Sequence, residues 1–199
     1  MMTISRKEAE RNARKKLILD SALEVFKSKG IENATMDEIA LEADFGKATL
    51  YYYFKSKEEI FNIILITGWT ILLDSIEDIV LEKHTPRKKF IKIIKRIIEL
   101  VNADRSQYEF LFFAPLSRAS NNEVEPEWKS FQVKLTNTML KIIEEGIKAG
   151  EFPQIDSQLT LKALGYIFHG MILMGKDRED ITEEEVEDLF TKFLKKKNK

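Results

Sequence analysis

Residues 35–57, TMDEIALEADFGKATLYYYFKSK, leave little freedom of local structure. Apolar side chains recur there at helical spacing: Met36, Ile39, Ala40 and Ala43, then Leu50 and Phe54. Between the two sets stand Asp44, Phe45 and Gly46, a short turn containing glycine. The pattern predicts two short helices joined by a tight turn.

With Leu50 and Phe54 turned inward, the 100° helical step puts Ala48, Thr49, Tyr51 and Tyr52 on the far side. Tyr53 then lies beside the core face and Lys47 at its edge. A buried helix would not set two tyrosines and a threonine opposite its apolar pair, whereas a partner surface would. Tyr and Thr hydroxyls suit phosphate oxygens and base edges, and a Thr methyl suits the thymine methyl. A helix-turn-helix of this kind lays its second helix in the DNA major groove.

Both helix starts are marked. Thr35 with Glu38 forms a capping box, and Ser56 with Glu59 forms another that opens the next helix. Lys57 sits in that helix's first turn, where the dipole favours anions. A cation there makes sense if it and the helix N-terminus hold a DNA phosphate.

The run from about Lys16 to Leu65 resembles the DNA-binding head of the TetR family of transcriptional regulators. Ile18, Leu19, Ala22, Val25, Phe26 and Gly30 match its first helix; Thr35, Ile39, Ala40 and Ala43 match its second. Thr49, Leu50, Tyr51, Tyr53, Phe54, Ser56, Lys57 and Glu58 match the third helix and the entry to the fourth. Asp44 and Gly46 depart from the usual Gly and Ser, and Ala48 from a common Gly. Gly46 can still cap the helix, and Asp tolerates a left-handed turn position. The resemblance implies an all-α fold of nine helices. A three-helix head (residues 1–56) precedes a helical effector-binding and dimerisation domain (residues 57–199).

Composition agrees with a cytoplasmic globular protein. Hydrophobic residues are 44% and charged residues 33%, and cysteine is absent. The most apolar run, Ile60 to Leu73, is too short to span a bilayer. Net charge is −1, but Arg6, Lys7, Arg11, Arg14, Lys15 and Lys16 make a basic N-terminal arm, set against Glu8 and Glu10. The arm supplies sequence-independent attraction to phosphate, or serves only as a solubilising tail. Ser5 with Glu8 can cap it into an extension of the first helix.

The rest reads as helices: about Lys57–Lys83, Thr85-capped to Ala103, Ser106–Ala119, Pro126 to Gly150, Asp156 or Ser157 to Met174, and Thr182-capped to Lys195. Leu159, Ala163, Tyr166, Ile167, Gly170 and Met174 form one apolar stripe, and the last helix offers Val186, Leu189, Phe190, Phe193 and Leu194. Gly165 and Gly170 are costly inside a helix, which close helix contact would explain. The stripes are either intramolecular core or, as the resemblance implies, the four-helix bundle of a homodimer.

Phe61, Trp69, Tyr108, Phe112, Phe113, Trp128, Phe131, Tyr166 and His169 lie on different helices and are candidates to line an effector cavity. Taken singly, each is better read as core. Arg118 and His169 are the polar residues of interest. No cofactor is expected, and with two histidines far apart and no cysteine neither is a metal site. The leading reading is a ligand-responsive repressor, a homodimer on palindromic double-stranded operator DNA, with no membrane partner. A small apolar effector, uncharged or weakly acidic, would release it by tilting the long helix that starts at Lys57. The alternatives are a constitutive DNA-binding or scaffold protein without effector, and, third, an enzyme, for which no nucleophile–base pair or glycine-rich loop is apparent. The DNA contacts expected are Thr35, Lys47, Ala48, Thr49, Tyr51, Tyr52, Tyr53 and Lys57.

Overall fold

The computed structural model describes residues 5–114, 125–173 and 182–193. Its helices are α1 (Arg6–Asn33), α2 (Met36–Glu42), α3 (Lys47–Tyr53), α4 (Lys57–Leu81), α5 (Pro86–Ala103), α6 (Arg105–Phe113), α7 (Trp128–Lys148), α8 (Ser157–Leu173) and α9 (Glu183–Phe193). No strand occurs among the described residues. The chain forms two compact units that part between Thr67 and Gly68, inside α4.

The first unit is built on α1, whose buried Ile18, Ala22, Val25 and Phe26 repeat at helical spacing. Ile39 and Ala40 of α2, Leu50 of α3, Phe54, and Ile60 and Phe61 of α4 complete its core. The Phe26 and Phe61 rings meet edge to face at 5.9 Å. Gly30 breaks the helical run with φ 75°. The chain then enters α2 through the expected capping box. Thr35 Oγ1 accepts from the Glu38 amide at 3.2 Å, and the Glu38 carboxylate accepts from the Thr35 amide at 3.0 Å. Asp44 takes the left-handed turn position, φ 54°. Ser56 Oγ caps α4 by accepting from the Glu59 amide. The return bond differs from the predicted box: the Glu59 carboxylate accepts from the Lys55 amide, one residue earlier.

The basic arm is helical. Ser5 Oγ accepts from the Glu8 amide, and α1 starts at Arg6. Residues 6–14 are all exposed, and Arg14–Glu10 and Lys16–Asp20 pair along the surface.

The second unit gathers the rest of α4 with α5–α9. Thr85 caps α5, with Pro86 in its first turn. The Arg96 guanidinium donates to the Ser75 carbonyl at 2.6 Å, and the Lys89 ammonium donates to that of Val80 at 2.6 Å. Asp104 caps α6, which is why that helix starts at Arg105 and not at Ser106. Pro126 and Glu127 form a turn before α7. At its far end α7 closes in a Schellman motif: Gly150 has φ 71°, and the amides of Glu151 and Gly150 return to the carbonyls of Gly146 and Ile147. Asp156 caps α8, and Thr182 with Glu185 caps α9. The expected continuations to Ala119 and Lys195 lie outside the described residues, as do Arg118 and Met174. So do the side chains of Val186, Phe190 and Phe193.

Two helical glycines show opposite packing. A Cβ on Gly146 would sit 2.3 Å from the Phe152 ring, while one on Gly165 would meet nothing within 4 Å. Overpacking costs about 1–3 kcal/mol, and the helix-propensity gain of Gly→Ala is about 1 kcal/mol. Gly146→Ala should therefore lower stability and Gly165→Ala should raise it, as read from urea midpoints. Midpoints that move the same way for both variants would contradict this packing.

Candidate nucleic-acid interface and apolar cavity

Helix α3 buries Leu50 and, just past its end, Phe54. Tyr52 is 72% exposed and Tyr51 46%. Lys47 and Ala48 are exposed, while Thr49 and Tyr53 are half-buried. The Tyr53 ring braces that of Tyr52 edge to face at 5.2 Å. The outer surface of this seven-residue helix therefore carries hydroxyls on aromatic rings, with Tyr52 largely open to solvent.

Beside it, Thr35, Lys47, Tyr51 and Lys57 surround one shallow concavity, together with Asp37, Lys55 and Ser56. Lys47 is paired with Asp37 at 2.8 Å, and that carboxylate holds its ammonium above the ordinary lysine range. Glu38 is held below the ordinary carboxyl range, first by the Lys29 ammonium and then by its bonds to Thr35. Lys57 has a role that its position in the helix did not disclose. Its ammonium donates to the carbonyls of Glu32 at 2.9 Å and Ala34 at 2.8 Å, the segment that links α1 to α2. Two of its three N–H bonds thus fasten the first unit together, and one is left for a phosphate.

In the second unit lies a cavity of about 510 Å³. Of the nine aromatic candidates, Trp69, Phe112, Tyr166 and His169 line it. The other five do not. Phe61 is buried against Phe26 in the first unit. Tyr108 and Trp128 are buried, Tyr108 near the Phe112 ring. Phe113 packs on His169 at 5.3 Å, and Phe131 is half-buried on α7 outside the lining. Helix α5 contributes Phe90, Ile94 and Ile97 at i, i+4 and i+7, of which sequence reasoning left out Ile94 and Ile97. That reasoning also left out the polar lining residues Gln132, Thr136, Gln158 and Lys162. The α5 stripe was the available signal. Burial between aromatic rings pushes the His169 imidazole below its ordinary value of 6.5. The indole N–H of Trp69 is buried without a hydrogen-bond partner.

Helix α8 shows a second face. Leu159 is 66% exposed, Tyr166 65%, and Ala163 is exposed beside half-buried Ile167 and Gly170. On α9, Leu189 is half-buried.

A helix-turn-helix head with a free outer face, followed by a helical unit with its own cavity, defines a DNA-binding transcription regulator. Residues 18–64 match the profile of "Bacterial regulatory proteins, tetR family", and over most of its length the chain is similar to transcriptional regulators. It is similar to the HTH-type transcriptional regulator YhgD of Bacillus subtilis, 26% identical over 92% of this chain and 95% of that one. It is also similar to the Fatty acid metabolism regulator protein of Bacillus subtilis, 27% identical over 69% of this chain and 70% of the relative. In fold it is similar to AibR, solved in complex with isovaleryl coenzyme A and operator DNA. That match has a TM-score of 0.78 at 18% identity and covers 91% of this chain and 97% of the other. The relatives are regulators and not enzymes. Among the described residues no helix is long and apolar enough to cross a membrane.

Lys57→Met should cost the protein about 1–3 kcal/mol, because two carbonyls lose a charged donor, and it should weaken DNA binding at the same time. Chemical denaturation and a DNA titration on the same variant check this; weaker binding at unchanged stability would remove the fastening role. His169 binds its proton less readily folded than unfolded. Its contribution is therefore intact above the ordinary value of 6.5 and is lost progressively as pH falls below it, through the lowered folded-state value. His169→Gln should flatten the decline in Tm between about pH 7 and 5.5, and an unchanged decline would refute the assignment.

Proposed function

We propose that this chain is a ligand-responsive repressor that binds a palindromic operator as a homodimer and releases it when a small, mainly apolar effector enters the second unit. The observation that carries the effector reading is the cavity. Its volume, about 510 Å³, falls in the range of small-molecule sites, and its walls are mostly apolar with a few polar groups, as such sites are. A relative named for fatty acid metabolism and a structural neighbour solved with an acyl thioester and operator DNA support the same class of effector.

In this reading Ala48, Thr49, Tyr51 and Tyr52 face the major groove, and Thr35, Lys47, Tyr53 and Lys57 hold phosphates on either side. Lys47 must leave Asp37 to do so. An exposed pair of this kind is worth about 0–1 kcal/mol, so the exchange is cheap. The α8 stripe, Leu159, Ala163, Tyr166, Ile167 and Gly170, with Leu189 of the last helix, is the dimer contact; Met174 and the side chains of Val186, Phe190 and Phe193, also expected there, lie outside the described residues. Helix α4 contributes Lys57 to the first concavity and Trp69 to the cavity wall. A change in its tilt therefore links effector to DNA. A ligand acts only through its different affinity for the two arrangements.

Tyr52→Ala should cost about 1–3 kcal/mol of operator binding and relax base preference. Gly170→Arg should yield a monomer by light scattering that binds operator poorly. Calorimetric titration of dodecanoyl-CoA into free protein and into the operator complex should give affinities that differ about 5–150-fold. Equal affinities would leave a DNA-binding protein without allostery, and a monomeric parent at micromolar concentration would remove the dimer.

A further inference from the structure

Gly165 stands in the middle of α8, and packing does not explain it. Glycine is the least favourable residue in a helix interior after proline. Gly68 and Gly146 have steric reasons: a Cβ would lie 3.0 Å from Leu111 at the first and 2.3 Å from Phe152 at the second. At Gly165 a Cβ would meet nothing within 4 Å, and its backbone conformation is one that other residues adopt freely.

The open space belongs to the cavity. Gly165 lines it, along with Gln158, Leu161, Lys162, Phe168 and His169. At 100° per residue Gly165 falls at the centre of that arc. Leu161 and Phe168 lie to one side of it, and Gln158, Lys162 and His169 to the other. The exposed stripe through Leu159, Ala163 and Gly170 is on the opposite face, so contact between copies along that stripe does not account for Gly165. The lining is thus split along the helix into an apolar flank and a polar flank. Among the described lining residues Lys162 is the one lysine, arginine, aspartate or glutamate. Its side chain is exposed, and burial keeps His169 neutral at pH 7.

Resting on the effector reading above, we infer that the cavity takes an amphiphile with an apolar body and one anionic head, the body lying against Gly165 and the head meeting Lys162. Gly165 sets the volume open to the body. Lys162 selects the charge, because an ammonium at the rim complements a carboxylate or phosphate and repels a cation. The head has two sources of the same chemistry, a free carboxylic acid or the phosphates of a coenzyme A thioester.

The test uses dodecanoate, dodecanoyl-CoA and dodecan-1-ol, titrated into the full chain and followed by tryptophan fluorescence, to which Trp69 in the cavity wall responds. Gly165→Leu should retain the parent Tm or exceed it, since the side chain enters empty space. It should weaken both anionic probes by about tenfold or more, the scale on which a filled apolar pocket discriminates. Gly165→Ala, the milder change, should move both quantities the same way by less. Lys162→Gln should weaken the anionic probes by about tenfold, as loss of a charge-assisted bond does, and leave dodecan-1-ol within about twofold. Tighter binding of the acid or of the thioester identifies the head's source. Gly165→Leu binding as the parent does, or Lys162→Gln weakening alcohol and acid alike, would overturn this inference while the effector reading stands. Failure of all three probes to bind the parent would overturn both.

Discussion

A seven-residue helix cannot hold itself together in water, and everything the first unit does for DNA depends on holding α3 in place. Forming the first turn fixes several residues for one hydrogen bond, so short helices need tertiary support. Helix α3 buries only Leu50 along its length and has no side-chain cap at Gly46. Its support comes from its neighbours. The Thr35–Glu38 box fixes the start of α2, Asp44 makes the left-handed turn, and Phe54 drops into the core directly after Tyr53. Lys57 then fastens the segment between α1 and α2 from the other side. Because these anchors lie behind the helix or at its ends, its outer face stays free for hydroxyls.

The second unit solves the opposite problem. Its helices must pack densely enough to be stable yet leave about 510 Å³ unfilled. Dense packing appears where α7 turns back: Phe152 fills the space over Gly146 and meets Phe90 at 6.1 Å. The cavity is kept elsewhere, beside α8, where Gly165 offers no side chain. Protein interiors otherwise approach crystal density. An unfilled volume lined by Trp69, Phe90 and Phe112 is therefore a choice the sequence makes, residue by residue.

Local chemistry was legible in the sequence, and geometry across helices was not. Caps act over three residues, so Thr35, Ser56, Thr85 and Thr182 could be read directly and the α8 cap narrowed to Asp156 or Ser157, and the exposure of Ala48, Tyr51 and Tyr52 on α3 followed from the helical step. The break between α5 and α6 was read from the sequence, but the cap at Asp104 was missed although Gln107 follows it at capping distance, and α6 starts one residue before the expected Ser106. The Lys57 fastening joins residues more than twenty positions apart, and nothing in periodicity announces a side chain bonded to distant carbonyls. The cavity shows the same limit. Aromatic content pointed to it, but which rings line it depends on helix rotation and contact. Phe61 thus went to one core while Ile94 and Ile97, not named as site residues, went to the cavity. The opposed faces of α8 were half legible: the apolar stripe stood out, whereas the lining face, mixed in polarity around a glycine, has no simple period.

A coupling of 5–150-fold between effector and DNA corresponds to about 1–3 kcal/mol. That is comparable to one charged hydrogen bond in the Lys57 fastening, or to a single overpacked methyl against Phe152. Coupling of that size therefore needs no large rearrangement. In the proposed reading, a ligand that gains about ten to twenty atom contacts in one arrangement over the other, at about 0.1–0.2 kcal/mol each, supplies enough. If the proposed coupling holds, the anchors that present α3 need only match energies of this size, about 1–3 kcal/mol.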